Sequence, residues 1–187
     1  MTKRKDFLVS ASPGRGTRGT LLLASGLLGL GLLAAAPASA QSVQEIGSFQ
    51  DWSAYTYEGG GQKICFMSSN PTDAKGNYTR RGDIFTMVTH RPARGARDEV
   101  SVEAGYTYKD GSSVSVDVDG NGFSLFTKEG NAWAPDADTD SALVRAMKAG
   151  VKMVIKGTSS RGTVTTDTYS LRGFTAAYDA ISGACPK

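Results

Sequence analysis

Residues able to do chemistry are sparse in this sequence, and most stand at the wrong spacing. Asp117, Asp119 and Asn121, followed by Gly122, place oxygen ligands and a glycine as in the opening of a calcium-binding loop. The last ligand position holds Lys128 where a bidentate Glu is needed, and Glu129 is one residue late, so a hairpin turn is the simpler reading. Asp136, Asp138 and Asp140 repeat the pattern, but Ser141 stands where the glycine belongs, and acids at a helix start account for them. His90 is the single imidazole. Nucleophilic catalysis needs a base held beside Ser, Thr or Cys, and a metal needs clustered ligands; His90 has neither partner at a telling spacing, and reads as an exposed structural residue at a strand end. Residues 157–162 lack the Gly-x-Ser-x-Gly spacing that exposes a nucleophile, and read as a tight connection between two late strands. Gly59-Gly60-Gly61-Gln62-Lys63 has no Gly-Lys-Ser/Thr and no helix after it; it reads as a hairpin tip. No catalytic, cofactor or metal set emerges.

Two features remain. Arg80, Arg81, Arg91, Arg94 and Arg97 put five guanidinium groups in two neighbouring loop regions, a candidate patch for an anionic component or an acidic partner. Asp83, Asp98 and Glu99 interrupt it, so a mixed solvated surface stays open as the alternative. Arg81-Gly82-Asp83 is the tripeptide read by integrins, and Asn77-Tyr78-Thr79 is a glycosylation acceptor; three residues are too few to carry either reading.

The second feature is the pair Cys65 and Cys185, which the compartment explains. Residues 1–20 are basic, residues 21–36 carry no charge, and Pro37-Ala38-Ser39-Ala40 supplies small residues where a signal peptidase reads. The N-terminus is thus expected to be a secretory leader cleaved between Ala40 and Gln41, with no transmembrane span left afterwards; sixteen small and apolar residues fall short of the roughly 18 to 20 of a membrane helix. Arg4-Lys5 is only a loose likeness of a twin-arginine signal, which favours the general route. An even number of cysteines in an exported chain favours a disulfide, and closing so long a loop stabilises by about 4 to 5 kcal/mol in the chain-entropy model.

The leader also corrects the charge. The whole chain has 21 Lys and Arg against 18 Asp and Glu, a formal +3. Five of those basic residues (Lys3, Arg4, Lys5, Arg15, Arg18) and one acid (Asp6) precede residue 41, which leaves 16 against 17 in the remainder. A uniformly basic nucleic-acid binder is disfavoured, because tracking phosphates needs a surplus of cations in the folded part.

The elements that must position these residues are mostly strands. Short β-branched and aromatic runs recur between Gly and Pro at 49–57, 63–68, 83–89, 99–106, 113–118, 122–127, 151–156 and 163–171. Val114, Val116 and Val118 alternate with Ser115 and Asp117, which predicts one buried face. Helices are predicted at 140–149, where Leu143, Ala146 and Met147 share a face, and at 174–181, where Phe174, Ala177, Tyr178 and Ile181 do; the second stripe continues to Cys185. The expectation is a mainly β (α+β) fold, an antiparallel β-sandwich-like domain of about eight strands with two short helices. It occupies residues 41–187 as a single domain, behind a leader at 1–40.

Several stretches resemble the invasion-associated locus B family of exported alphaproteobacterial proteins. They are Phe49-Gln50-Asp51-Trp52, Cys65 with Ser69-Asn70-Pro71, Arg81-Gly82, Val88-Thr89-His90-Arg91-Pro92, Glu99-Val100-Ser101 with Gly105-Tyr106, Phe123 to Thr127 and Ala132-Trp133-Ala134. The longest runs through Lys156-Gly157-Thr158-Ser159, Arg161-Gly162-Thr163 and Asp167-Thr168-Tyr169-Ser170-Leu171 to Gly173-Phe174 and Cys185. The sequence departs from the common pattern in having no further Cys soon after Trp52. The resemblance implies a β-rich protein of the periplasm or outer membrane, named for members that help bacteria enter host cells, and no known catalytic site. The leading expectation is therefore a non-enzymatic envelope protein that binds an envelope protein or anionic envelope component. Its rival is a small periplasmic enzyme using Asp or Glu acid–base chemistry.

Overall fold

The computed structural model describes residues 42–186. The expected leader, its cleavage point at Ala40 and Gln41, and Lys187 lie outside the described residues. Eleven strands form one antiparallel sheet, in the order β1-β2-β3-β5-β6-β9-β8-β7-β10-β11-β4. They are β1 Ser42–Phe49, β2 Trp52–Gly59, β3 Gln62–Ser69, β4 Asp73–Gly76, β5 Phe85–Arg91, β6 Ala96–Glu103, β7 Ser113–Val118, β8 Asn121–Lys128, β9 Asn131–Trp133, β10 Lys152–Thr158 and β11 Val164–Ser170. Helix α1 spans Ala137–Ala149 and α2 spans Phe174–Ala184.

Connectivity forces this sheet to fold over on itself. β3 and β4 stand eight places apart in the strand order, about 38 Å if the sheet were flat. Only residues 70–72 join them, a link that spans at most about 14 Å. The far edge must therefore return to β3, and hydrogen bonds fix the return: Thr72 donates from its backbone N to the Thr168 carbonyl at 2.7 Å, and Trp52 Nε1 donates to the Ser170 carbonyl at 3.0 Å. The inner faces then oppose each other, as a sandwich-like fold requires. Met67, Val88, Val100 and Val102 from one half, and Val116, Leu125, Met153 and Ile155 from the other, are buried in one core.

Both helices seal this core. Asp136 caps α1 by accepting from Thr139 N at 2.7 Å, and Leu143, Val144 and Met147 are buried. Phe174 of α2 packs edge to face on Trp52, ring centroids 4.8 Å apart. Gly173 enters α2 at φ +87°, where an added Cβ would lie 1.8 Å from the Phe49 carbonyl oxygen, so a side chain is sterically barred there. Beyond α2, Cys185 is bonded to Cys65 of β3 with 5.9 Å between Cα atoms, both residues buried.

The strand number exceeds the eight expected from periodicity, and the three additions share a cause. β1 is exposed along most of its length, β4 is a four-residue polar edge and β9 has three residues. Strands that bury one face only weakly carry no alternation to read. The expected strand at 49–57 is instead the end of β1, a turn at Gln50 and Asp51 with Gln50 at φ +58°, and then β2. The helices run longer than expected, α1 starting at Ala137 and α2 ending at Ala184.

The staple across 120 residues predicts a large unfolding effect. The double variant Cys65→Ala/Cys185→Ala is expected to lose about 4 to 5 kcal/mol in urea denaturation. A loss below about 1 kcal/mol would refute the assignment of the C-terminal clamp to this bond.

Candidate functional site

The segment between β4 and β5 is tied to β11 by one side chain, Arg81. Arg81 donates from both terminal nitrogens to the two carboxylate oxygens of Asp167, each at 2.6 Å, and from Nε to the Ala104 carbonyl at 2.6 Å. Both side chains are 4% exposed. Rings lie against the guanidinium, with the Tyr106 centroid at 4.9 Å and the Tyr78 centroid at 5.5 Å. Burial alone opposes the charge, but the hydrogen bonds and charge of Asp167 outweigh it and raise the Arg81 pKa. The pair joins β11, the β4–β5 segment and the end of β6, three pieces far apart in sequence.

Backbone contacts complete the frame. Gly82 N donates to the Gly105 carbonyl at 2.9 Å, and Gly105 has φ +69° with the Gly82 oxygen 2.5 Å from where a Cβ would sit. Only glycine allows this approach. The β10–β11 turn is fixed against residues 107–109: Ser160 N donates to the Thr107 carbonyl at 2.8 Å, and Lys109 N donates to the Thr158 carbonyl at 2.9 Å. Tyr106 and Thr165 share a hydroxyl hydrogen bond of 2.7 Å. Burial pushes the Tyr106 hydroxyl pKa up, with the Thr165 bond opposing, and burial also raises Tyr108 and Tyr169. All three phenols therefore stay neutral near pH 7.

This frame encloses a cleft of about 490 Å³ between the 77–82 segment and the 159–163 turn. Its lining is polar and aromatic; among the described residues no aliphatic and no acidic side chain contributes to it. Arg80 stands on one wall and Arg161 on the other, both exposed, and neither makes an ion pair among the described residues. A shallower depression across the Gly82–Gly105 contact is lined by Phe85 and by the carboxylates of Asp83 and Glu103. Cations and acids thus lie on opposite sides of that contact.

The five arginines singled out in the sequence are not one group. Arg80 and Arg81 belong to the cleft, but Arg81 spends its charge on Asp167. Arg91 at the end of β5, Arg94 in the turn after it and Arg97 near the start of β6 lie at the far end of β5, about 20 Å away along the strand. There Arg91 pairs with Glu99 at 2.6 Å, Arg97 donates to the Cys185 carbonyl at 2.8 Å, and Arg94 is exposed in the 3-10 turn Pro92–Arg94. Burial of Arg81 also takes its tripeptide with Gly82 and Asp83 out of reach of a receptor. The calcium-like segment forms the β7–β8 turn, and Asp119 accepts from Val151 N at 2.6 Å.

Sequence reasoning missed Asp167, Thr165, Tyr106 and Arg161 as site residues. The signal was present: Thr165, Asp167 and Tyr169 alternate on one face of β11, and that face is buried. A carboxylate on a buried face requires a cation, which points to an arginine elsewhere.

His90, expected to be exposed, is instead fully buried at the other end, covered by α2. Its Nδ1 accepts from Asp98 N at 3.2 Å, so the proton resides on Nε2, 3.1 Å from the Ser182 hydroxyl of α2. The Tyr178 hydroxyl donates to Asp98 at 2.6 Å, and Lys148 of α1 lies 3.5 Å from the Tyr178 ring centroid. Burial lowers the His90 pKa, with Arg97 adding to it and Asp98 opposing. This imidazole ties β5 and β6 to α2 and offers no catalytic base.

The fold defines a mainly antiparallel β protein with two sealing helices, a disulfide-clamped C-terminus and one polar cleft. A family model described as invasion associated locus B (IalB) protein matches residues 52–182, and the chain belongs to that family. The crystal structure of invasion associated protein b from Bartonella henselae has a similar fold, with a TM-score of 0.51 and 15% identity over 78% of this chain and 97% of that one. No curated protein matches the sequence.

Two measurements check this geometry. Asp167→Asn leaves Arg81 buried against a neutral partner, and is expected to cost about 3 to 5 kcal/mol in chemical denaturation; a cost under about 1 kcal/mol contradicts the pairing. The single histidine makes an NMR titration unambiguous, with a native pKa expected below 6.5. The unfolded chain then takes up the proton first on acidification, so stability contributed by neutral His90 is complete above 6.5 and is lost as pH falls towards the native value. A native pKa above 6.5 would contradict the buried neutral tautomer.

Proposed function

We propose that the protein is an exported, non-enzymatic component of the cell envelope that binds an anionic envelope component through the cleft. The observation that carries this reading is that Arg80 and Arg161 both line the cleft, with no ion pair to either and no carboxylate in the lining among the described residues. Guanidinium forks suit phosphate and carboxylate groups, and the low-dielectric protein walls of a cleft concentrate their field. The leader-like N-terminus and the disulfide support passage to an oxidising compartment, for which the periplasm is the natural reading. Membership of a family named for invasion supports a surface role in contact with a host.

Acid–base catalysis finds little to work with in the cleft. The Asp167 carboxylate has both oxygens occupied by Arg81. Asp83 and Glu103 lie in the open depression, and among the described residues no hydrogen bond orients either side chain. The family is not one of known enzymes.

The test is retention on envelope fractions. Wild-type protein is expected to sediment with washed envelopes and to be released by about 0.5 M salt, which screens exposed charges. The Arg80→Ala/Arg161→Ala variant, altered only at exposed side chains, is expected to retain about tenfold less, equivalent to roughly 1.4 kcal/mol. Equal retention of variant and wild type would overturn the reading.

A further inference from the structure

Resting on that reading of the cleft, we infer that its ligand is a small acidic saccharide, a sugar carrying a phosphate or a carboxylate. Size decides first. A cavity of about 490 Å³ falls in the range of small-ligand sites, whereas a stable protein partner needs a footprint of roughly 1,200 to 2,000 Å² in total. The composition of the walls decides next. Without one aliphatic side chain, the cleft has nothing to take up an acyl chain or a steroid-like body.

The polar groups point further than to a bare anion. An inorganic anion accepts hydrogen bonds only, and Arg80 and Arg161 would meet that need alone. The walls also offer the hydroxyls of Thr79, Thr107, Ser160 and Thr163 and the amide of Asn77, groups that both donate and accept. A ligand that uses these acceptors must itself carry donors beside its anionic group, as the hydroxyls of a sugar ring do. A nucleobase fits less well, because the Tyr78 and Tyr106 rings already hold the Arg81 guanidinium against a face. The floor is rigid as well: Arg81 is fixed by three hydrogen bonds, so little ordering cost remains for binding.

The disulfide-bonded protein, isolated after export, is titrated with glucose 1-phosphate, glucose, inorganic phosphate and adenosine monophosphate. Heat and backbone amide NMR shifts are followed together. Glucose 1-phosphate is expected to bind at least about tenfold more tightly than glucose, phosphate or the nucleotide, moving the amides of Thr79, Ser160 and Arg161. Arg80→Ala and Arg161→Ala are each expected to weaken it about tenfold while leaving the remaining amide spectrum in place. Phosphate binding as tightly as the sugar phosphate would overturn the saccharide inference and reduce the cleft to an anion site. Tighter binding of the nucleotide, equal binding of uncharged glucose, or no movement of cleft amides with any probe would overturn it too. Envelope retention that still depends on Arg80 and Arg161 would then leave the binding role standing; retention indifferent to them would remove both.

Discussion

The buried ion pair of Arg81 and Asp167 is the constraint on which the functional end of the molecule depends. A carboxylate on the inner face of β11 is costly to desolvate, and an isolated one would not stay charged. Asp167 is acceptable because Arg81 offers both nitrogens in a planar fork, and Arg81 is acceptable because its third donor reaches Ala104 and two rings cover it. This geometry draws a polar segment, residues 77–84, onto the sheet although it has little apolar surface of its own to bury. Without the pair, the segment would keep the Gly82–Gly105 contact, the Asn70 Nδ2 bond to the Ile84 carbonyl near its end and the Tyr78 hydroxyl bond back to the Ala74 carbonyl, none of which ties Arg80 and Arg81 to β11.

At the opposite end the same problem is solved by different means. Helix α2 brings Phe174, Ala177 and Ile181 to the core, and the Cys65–Cys185 bond prevents its end from leaving. His90 adds a directional link to Ser182, and Arg97 covers the Cys185 carbonyl. Apolar burial with a covalent clamp thus secures one end, and a buried charge pair the other. The clamped end is closed and buried; the charged end is left open with Arg80 and Arg161 unpaired. That asymmetry is why the ligand is proposed for the cleft and not for the arginines around Arg97.

Much of this fold was legible in the sequence wherever burial left a period. Val114, Val116 and Val118 announced β7, and the stripes of Leu143 with Met147 and of Phe174 with Ile181 announced the helices. β1, β4 and β9 were not legible, since edge and very short strands bury too little to pattern their residues. The cleft was half legible. Arg80 and Arg81 were marked by charge, yet charge density along the chain could not separate them from Arg91, Arg94 and Arg97. That separation depends on the extended chain of β5, which begins at Phe85 after the first group and reaches the second at Arg91. Asp167 is not marked by the β-branched and aromatic run at 163–171, which indicates a strand; only the cost of burying a carboxylate on the inner face of that strand singles it out.

The central claim is that the Arg81–Asp167 pair holds the 77–84 segment in place, and one measurement addresses it directly. In Arg81→Met/Asp167→Leu, apolar groups of similar volume replace the pair, so global stability is expected to be retained or raised. Hydrogen exchange at the Gly82 amide, which donates to the Gly105 carbonyl in the native protein, then reports on the segment alone. Protection of Gly82 at least about tenfold below wild type, with core amides of β7 and β10 unchanged, is the expected result. Gly82 protection equal to wild type would contradict the claim.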